Sequence, residues 1–141
     1  LIRIKPAQLD AKKVIKRLSD YSKEVQTQAA LVVADYTLKV HGEAVKSIQS
    51  IRSKGNERPD GSYASKPGNP PNTDTGTLVK SLNVEVDLNK ATGKVYSKLK
   101  YALWLEVGTL NIEKRPFLAP ALEKFYVKFI DAIKKVLKDS K

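Results

Sequence analysis

The stretch YALWLEVGTLNIEKRPFLAPAL, residues 101–122, decides how this chain is put together. Its apolar opening, 101–107, is too short for periodicity to separate a helix from a buried strand. Gly108 directly after it favours a short helix, because glycine readily takes the backbone conformations that end helices. A short connection leads to Arg115-Pro116-Phe117-Leu118 and Pro120-Ala121-Leu122. Pro116 suits the first turn of a second helix, where its missing N–H would be unpaired in any case. The segment holds the only Trp and two of the seven prolines, but neither a nucleophile beside a base nor a metal-ligand set. It reads as a surface for assembly, not chemistry.

Toward the C-terminus, Leu118, Leu122, Phe125, Tyr126, Phe129, Ile130, Ile133, Val136 and Leu137 keep helical spacing. Lys134, Lys135 and Lys138 gather where cations favour the helix dipole, so a helix is expected over 116–138. On the other side, residues 78–88 alternate, with Leu82, Val84, Val86 and Leu88 on one face. Residues 89–93 are turn material, and 94–99 place Val95, Ser97 and Leu99 opposite Tyr96, which completes an antiparallel hairpin within 77–100. Ile2 and Ile4, before Pro6, offer a short edge strand.

From residue 10 to about 53 the pattern is helical. Val14, Leu18, Tyr21, Val25, Ala29, Val32, Tyr36 and Val40 form one stripe at a 3.6-residue period, with Asp10 as N-cap and Lys12, Lys13, Lys16 and Arg17 on the polar side. Ala44, Val45, Ile48 and Ile51 resume the spacing after His41-Gly42, so the helix either runs through Gly42 or restarts there. Residues 54–76 are rich in Gly, Pro, Asn, Asp and Ser and lack any apolar period. A loop so long is either a tolerated insertion, mobile in a monomer, or a segment that orders against a partner. The expected architecture is a single α+β domain, 1–141, with two long amphipathic helices on one face of a small antiparallel sheet.

Composition bounds the function. At 141 residues, 41% hydrophobic and 29% charged, the chain is long enough for one core and too apolar for a disordered segment. It has no cysteine, which excludes disulfides, thiolate metal sites and thiol catalysis. No run is long and apolar enough for a membrane span or a signal peptide, so a soluble protein made in the cytoplasm is expected. The lack of any Met implies either processing or a missing start. The net charge of +11 fits either a solvated basic surface or one that faces nucleic acid, because the basic residues are interleaved with Asp and Glu and form no block.

Candidate chemistry is sparse. His41 is the lone histidine and reads as an ordinary surface or helix-boundary residue. Asp74-Thr75-Gly76-Thr77 lacks the glycine pattern and lysine of a phosphate loop and reads as a turn. Glu106, among Trp104, Leu105 and Val107, has no partner carboxylate for acid–base work and reads as a salt-bridge or backbone-bonding residue. Tyr101, Trp104 and Phe117 are core or interface anchors. No catalytic residue, metal or cofactor is implied.

The ordered set Pro67-Gly68-Asn69-Pro70-Pro71, then Asp74-Thr75-Gly76-Thr77-Leu78 with Ser81-Leu82, then Tyr101-Ala102 through Leu105-Glu106-Val107-Gly108-Thr109, then Arg115-Pro116-Phe117-Leu118 with Pro120 resembles the tail-completion or neck protein family of long-tailed bacteriophages. The resemblance covers residues 67–122. It implies a non-enzymatic virion protein, assembled in the bacterial cytoplasm, that forms a ring where the tail meets the head connector and surrounds the DNA channel. Implied partners are further copies, head-connector or head-closure proteins, and tail-terminator or tail-tube proteins. Asp74, Thr75, Gly76, Leu78, Tyr101, Leu105, Glu106, Gly108, Thr109, Arg115, Pro116, Phe117 and Pro120 become the assembly set, with Lys54, Arg58 and Lys66 as candidates to face passing DNA. The long polar insertion before Pro67 and the Leu103-Trp104 pair depart from the family pattern. A basic, sequence-nonspecific nucleic-acid-binding module is the alternative, motivated by charge alone.

Overall fold

Ser22 starts the first helix: its Oγ accepts from the Val25 N–H at 3.4 Å and its carbonyl from the Gln26 N–H at 3.1 Å. The helix, α1 (Lys23–Gln49), runs unbroken through Gly42 and ends where the Ser50 N–H and Oγ both donate to the Lys46 carbonyl. At 1.5 Å per residue it is about 40 Å long. The structure, a computed structural model, describes residues 7–10, 21–51 and 53–139.

The remaining elements are β1 (Ala7–Asp10), a single helical turn α2 (Thr77–Lys80), β2 (Leu82–Asp87), β3 (Thr92–Ser97), α3 (Lys100–Val107) and α4 (Leu118–Asp139). The strands form one antiparallel sheet in the order β1-β3-β2. Leu82 pairs with Ser97 and Asp87 with Thr92, while Ala7 pairs with Val95 and Asp10 with Thr92. The Asp87 carboxylate closes the hairpin by accepting from the Asn89 and Lys90 N–H groups at 3.0 and 3.1 Å. Gly93, Val95 and Ser97 alternate inward along β3, as the period of two requires.

The α+β architecture is as expected, but several of its parts differ. The continuous helix from Asp10 is replaced: Asp10 lies in a strand and residues 21–22 are not helical. An apolar period can run on past a capped start, and it did here, so Tyr21 matches the stripe while lying outside the helix. Val14, Leu18, Lys12, Lys13, Lys16 and Arg17 fall outside the described residues, as do Ile2 and Ile4. Leu78 belongs to a helical turn instead of the first strand, because Gly76 adopts a left-handed conformation and the Ser81 N–H and Oγ turn back to Thr77 and Leu78 carbonyls.

The core lies between the sheet and α4, with α1 in the middle. Val33, Thr37, Val40, Ala44 and Ile48 are fully buried, and they join Val95 of β3 with Phe117, Phe129 and Ile133 from the α4 region. Val32 and Tyr36, expected in the stripe, are only partly buried at the edge of the core, and Tyr36 lies against α4. There Tyr36 meets Phe129 and Phe125 edge-on, with ring centroids 5.7 and 6.4 Å apart. The Lys124 ammonium, on α4, bonds the Glu43 carboxylate of α1 at 2.9 Å. Thus α4 packs chiefly on α1 and less on the sheet.

Candidate assembly surface

α3 is amphipathic in the direction that leaves its aromatic side uncovered. Ala102, Leu103 and Leu105 are buried, whereas Tyr101, Trp104 and Val107 recur every third residue on the outer side, about half exposed. Gly108 stops the helix with φ 77° and ψ 165°, a backbone region essentially closed to other residues, and its N–H donates to the Trp104 carbonyl at 2.8 Å. The Thr109 Oγ1 then accepts from the Asn111 and Ile112 N–H groups, while its own N–H donates to the Ile112 carbonyl. This tight turn holds Leu110 at its tip, fully exposed. The apolar stripe of α3 therefore continues into the turn.

The chain returns to α3 at once. The Arg115 N–H donates to the Leu105 carbonyl at 2.6 Å, and Phe117 is completely buried. Glu106 links the two helices: its carboxylate accepts from the Phe117, Leu118 and Ala119 N–H groups at 2.9, 3.1 and 2.8 Å. Pro120, next in the chain, has no N–H. The donors left over at the start of α4 are thus all satisfied by one side chain from α3, and the carboxylate's charge opposes the positive end of the helix dipole. Of the two roles expected for Glu106, it fills the backbone-bonding one.

Residues 54–76 hold more hydrogen bonds than a free excursion would. The Gly55 N–H donates to the Ala64 carbonyl and the Ala64 N–H to the Asn56 carbonyl, beside the Glu57–Tyr63 bridge. The Asn72 side-chain amide donates to the Ser53 and Tyr63 carbonyls at 2.8 and 2.9 Å, and the Thr73 N–H to the Ile48 carbonyl at 3.1 Å. Across the gap to the α3–α4 connection, the Gly68 N–H donates to the Lys114 carbonyl and the Arg115 Nε to the Ser65 carbonyl. At the loop's tip, the Ser62 hydroxyl and N–H both donate to Asp60 and hold its carboxyl below the ordinary range.

Between loop and α3 lies a recess of about 520 Å³ that gathers most of the motif residues distant in sequence: Asp74, Thr75, Gly76 and Leu78 from one side, Tyr101, Leu105 and Arg115 from the other. Arg58, expected to face DNA, lines the same recess. Lys54 instead lies over the Tyr63 ring, 5.0 Å from its centroid, and Lys66 is an exposed loop residue. Pro120 sits exposed on α4, away from the recess. Ser65 and Asn72, both buried recess residues, carried no signal in the sequence beyond their turn-forming composition.

Among the described residues, no group of His, Cys, Asp and Glu could hold a metal ion, and no helix is long and apolar enough to cross a membrane. The family model described as "Bacteriophage HK97-gp10, putative tail-component" matches residues 12–108, well over half of the chain. The chain belongs to the HK97-gp10-like family. Its resemblance to phage tail-completion proteins and this match therefore agree, and the protein is a structural tail component of a bacteriophage, working in contact with other virion proteins. The HK97-gp10-like match takes in α1, the recess loop, the hairpin and α3, and ends on Gly108. The Arg115-Pro116-Phe117 turn and α4 lie beyond it. No curated protein and no solved structure matches the chain significantly.

Proposed function

We propose that this tail component is a tail-completion or neck protein: it forms a ring with further copies, joins the tail to the head connector, and surrounds a basic channel that tolerates passing DNA. The observation that carries the reading is the uncovered apolar stripe Tyr101–Trp104–Val107–Leu110, set on a helix and a turn that the surrounding bonds hold rigid. Large apolar side chains arranged contiguously and held in place are what an assembly interface requires. Head-closure proteins on one side and tail-terminator or tail-tube proteins on the other are the partners of this role.

Phage lacking the gene should yield filled heads and unattached tails by electron microscopy, and a supplied wild-type copy should restore joined particles. Leu110→Asp, at a fully exposed position, should fold normally by circular dichroism yet fail to restore them, since losing one interface anchor costs about 2 kcal/mol or more of binding. Normal particles without the gene would overturn the joining role; full restoration by Leu110→Asp would remove the stripe from it.

The charge of +11 supports the channel. Duplex DNA should bind weakly and without sequence preference, and log K should fall with log salt by about 0.9 for each phosphate contacted. Affinity that stays level between about 50 and 200 mM salt would count against any phosphate-facing surface.

A further inference from the structure

The recess between the loop and α3 has features that the stripe beside it lacks. Its walls are largely apolar, with Ile48, Leu78, Leu99, Leu105 and Ile112 among them, and its volume lies in the range of about 300–1,000 Å³ typical of occupied sites. Two guanidinium groups line it, and both are held by neutral acceptors. Arg58 donates to the Ser62 hydroxyl at 3.1 Å and the Asn72 carbonyl at 3.4 Å; Arg115 donates to the Ser65 and Glu113 carbonyls, each at 3.2 Å. Among the described residues neither has a carboxylate within salt-bridge distance. Asp74 is the recess's own acid, and the nearby Asp60, bonded by Ser62, feels the Arg58 charge without forming an ion pair with it. Two further polar atoms in residues that line the recess, Ser65 Oγ and Asn72 Oδ1, are buried without a partner.

Arginines fixed in place with spare donors, set in an apolar cleft, are matched by a carboxylate carried on an apolar chain. We infer that the recess holds an extended segment of a neighbouring virion protein, presenting an Asp or Glu side chain to Arg58 and Arg115 and an adjacent aliphatic side chain to the apolar wall. The inference rests on the tail-component reading, which supplies virion proteins as the partners. Tyr101 belongs to both the recess and the exposed stripe, so a segment seated here extends the same interface.

The test uses the full chain against an array of overlapping peptides tiled across the head and tail proteins of the same phage genome. Bound peptides should share Asp or Glu beside Leu, Ile or Val, and replacing that acid by Asn or Gln should weaken binding tenfold or more, measured by fluorescence anisotropy. Arg58→Gln keeps a polar amide but removes the charge and the reach of the guanidinium, and should also weaken binding tenfold, about 1.4 kcal/mol. If Arg58→Gln lowers the melting temperature, the Asp→Asn comparison against unaltered protein decides alone. An array with no bound peptide, binding indifferent to the acid, or a folded Arg58→Gln variant that binds as well as wild type would overturn the inference. A silent array together with unjoined particles in the gene deletion refutes the docking segment only; normal particles refute the tail reading beneath it.

Discussion

Gly93→Ala is expected to lower the stability of this protein by about 3 kcal/mol or more, at the upper end of what overpacking a core costs, and its melting temperature by about 10 °C. Gly93 is in the central strand, paired with Leu9 on one side and Val86 on the other, and faces α1. A Cβ there would fall 1.8 Å from the Thr37 Oγ1, 2.8 Å from its Cβ and 2.9 Å from its Cγ2. Rotating Thr37 gives no relief, since its own Cβ is already too close. Moreover, its hydroxyl is tied to the Val33 carbonyl at 2.7 Å. The helix would have to lift off the sheet, which breaks the contact on which the two layers depend. Thr37→Ala placed in the Gly93→Ala background removes two of the three clashing atoms and should recover roughly half the loss, a coupling that a double-mutant cycle reads directly. Thermal circular dichroism on the four proteins measures this. A Gly93→Ala melting curve that overlays the wild type would refute the close approach of α1 to β3.

That contact also marks the limit of what the sequence could reveal. The hairpin and α4 were legible because each has a repeating apolar pattern and a chemically distinct end, Asn89-Lys90 between the strands and Pro116 before α4, whereas α3 was legible only through Gly108 at its end. Thr37 and Gly93 carry no such mark. A buried threonine that bonds its own helix looks polar in a hydropathy pattern, and a glycine opposite it, at the end of 89–93, looks like turn material. Likewise the stripe that runs through Tyr21 continues the helical period past the point where Ser22 caps it, so periodicity placed the start too early. The recess was the least legible part. Its walls come from segments far apart in the chain, and the bonds that shape the loop, such as those from Asn72 to Ser53 and Tyr63, involve residue types whose composition suggests only irregular backbone.

Replacing Glu106 with Ala should destabilise the protein by about 3 kcal/mol, because hydrogen bonds to a charged acceptor are the stronger ones and the buried N–H groups of Phe117 and Leu118 would be left unpaired. The sequence around α4 makes the need for this residue visible after the fact: Arg115-Pro116-Phe117 contains no Ser, Thr, Asp or Asn to cap the helix that follows. The cap must come from elsewhere in the fold, and the acidic residue at the end of α3 is placed to supply it. Glu106→Gln keeps one acceptor oxygen for Phe117 and Leu118 but turns an NH2 toward Ala119, whose exposed N–H can turn to water. Its cost should be smaller, about 1 kcal/mol, with the dipole interaction lost as well. Hydrogen exchange separates this account from a general loss of packing: in Glu106→Ala the Phe117 and Leu118 amides should exchange much faster than those at the middle of α4. Protection at both amides equal to wild type, with unchanged melting, would refute the cap. The same bonds set the angle between α3 and α4, so the variant should also misplace the Tyr101–Trp104–Val107 stripe and restore joined particles poorly even at temperatures where it remains folded.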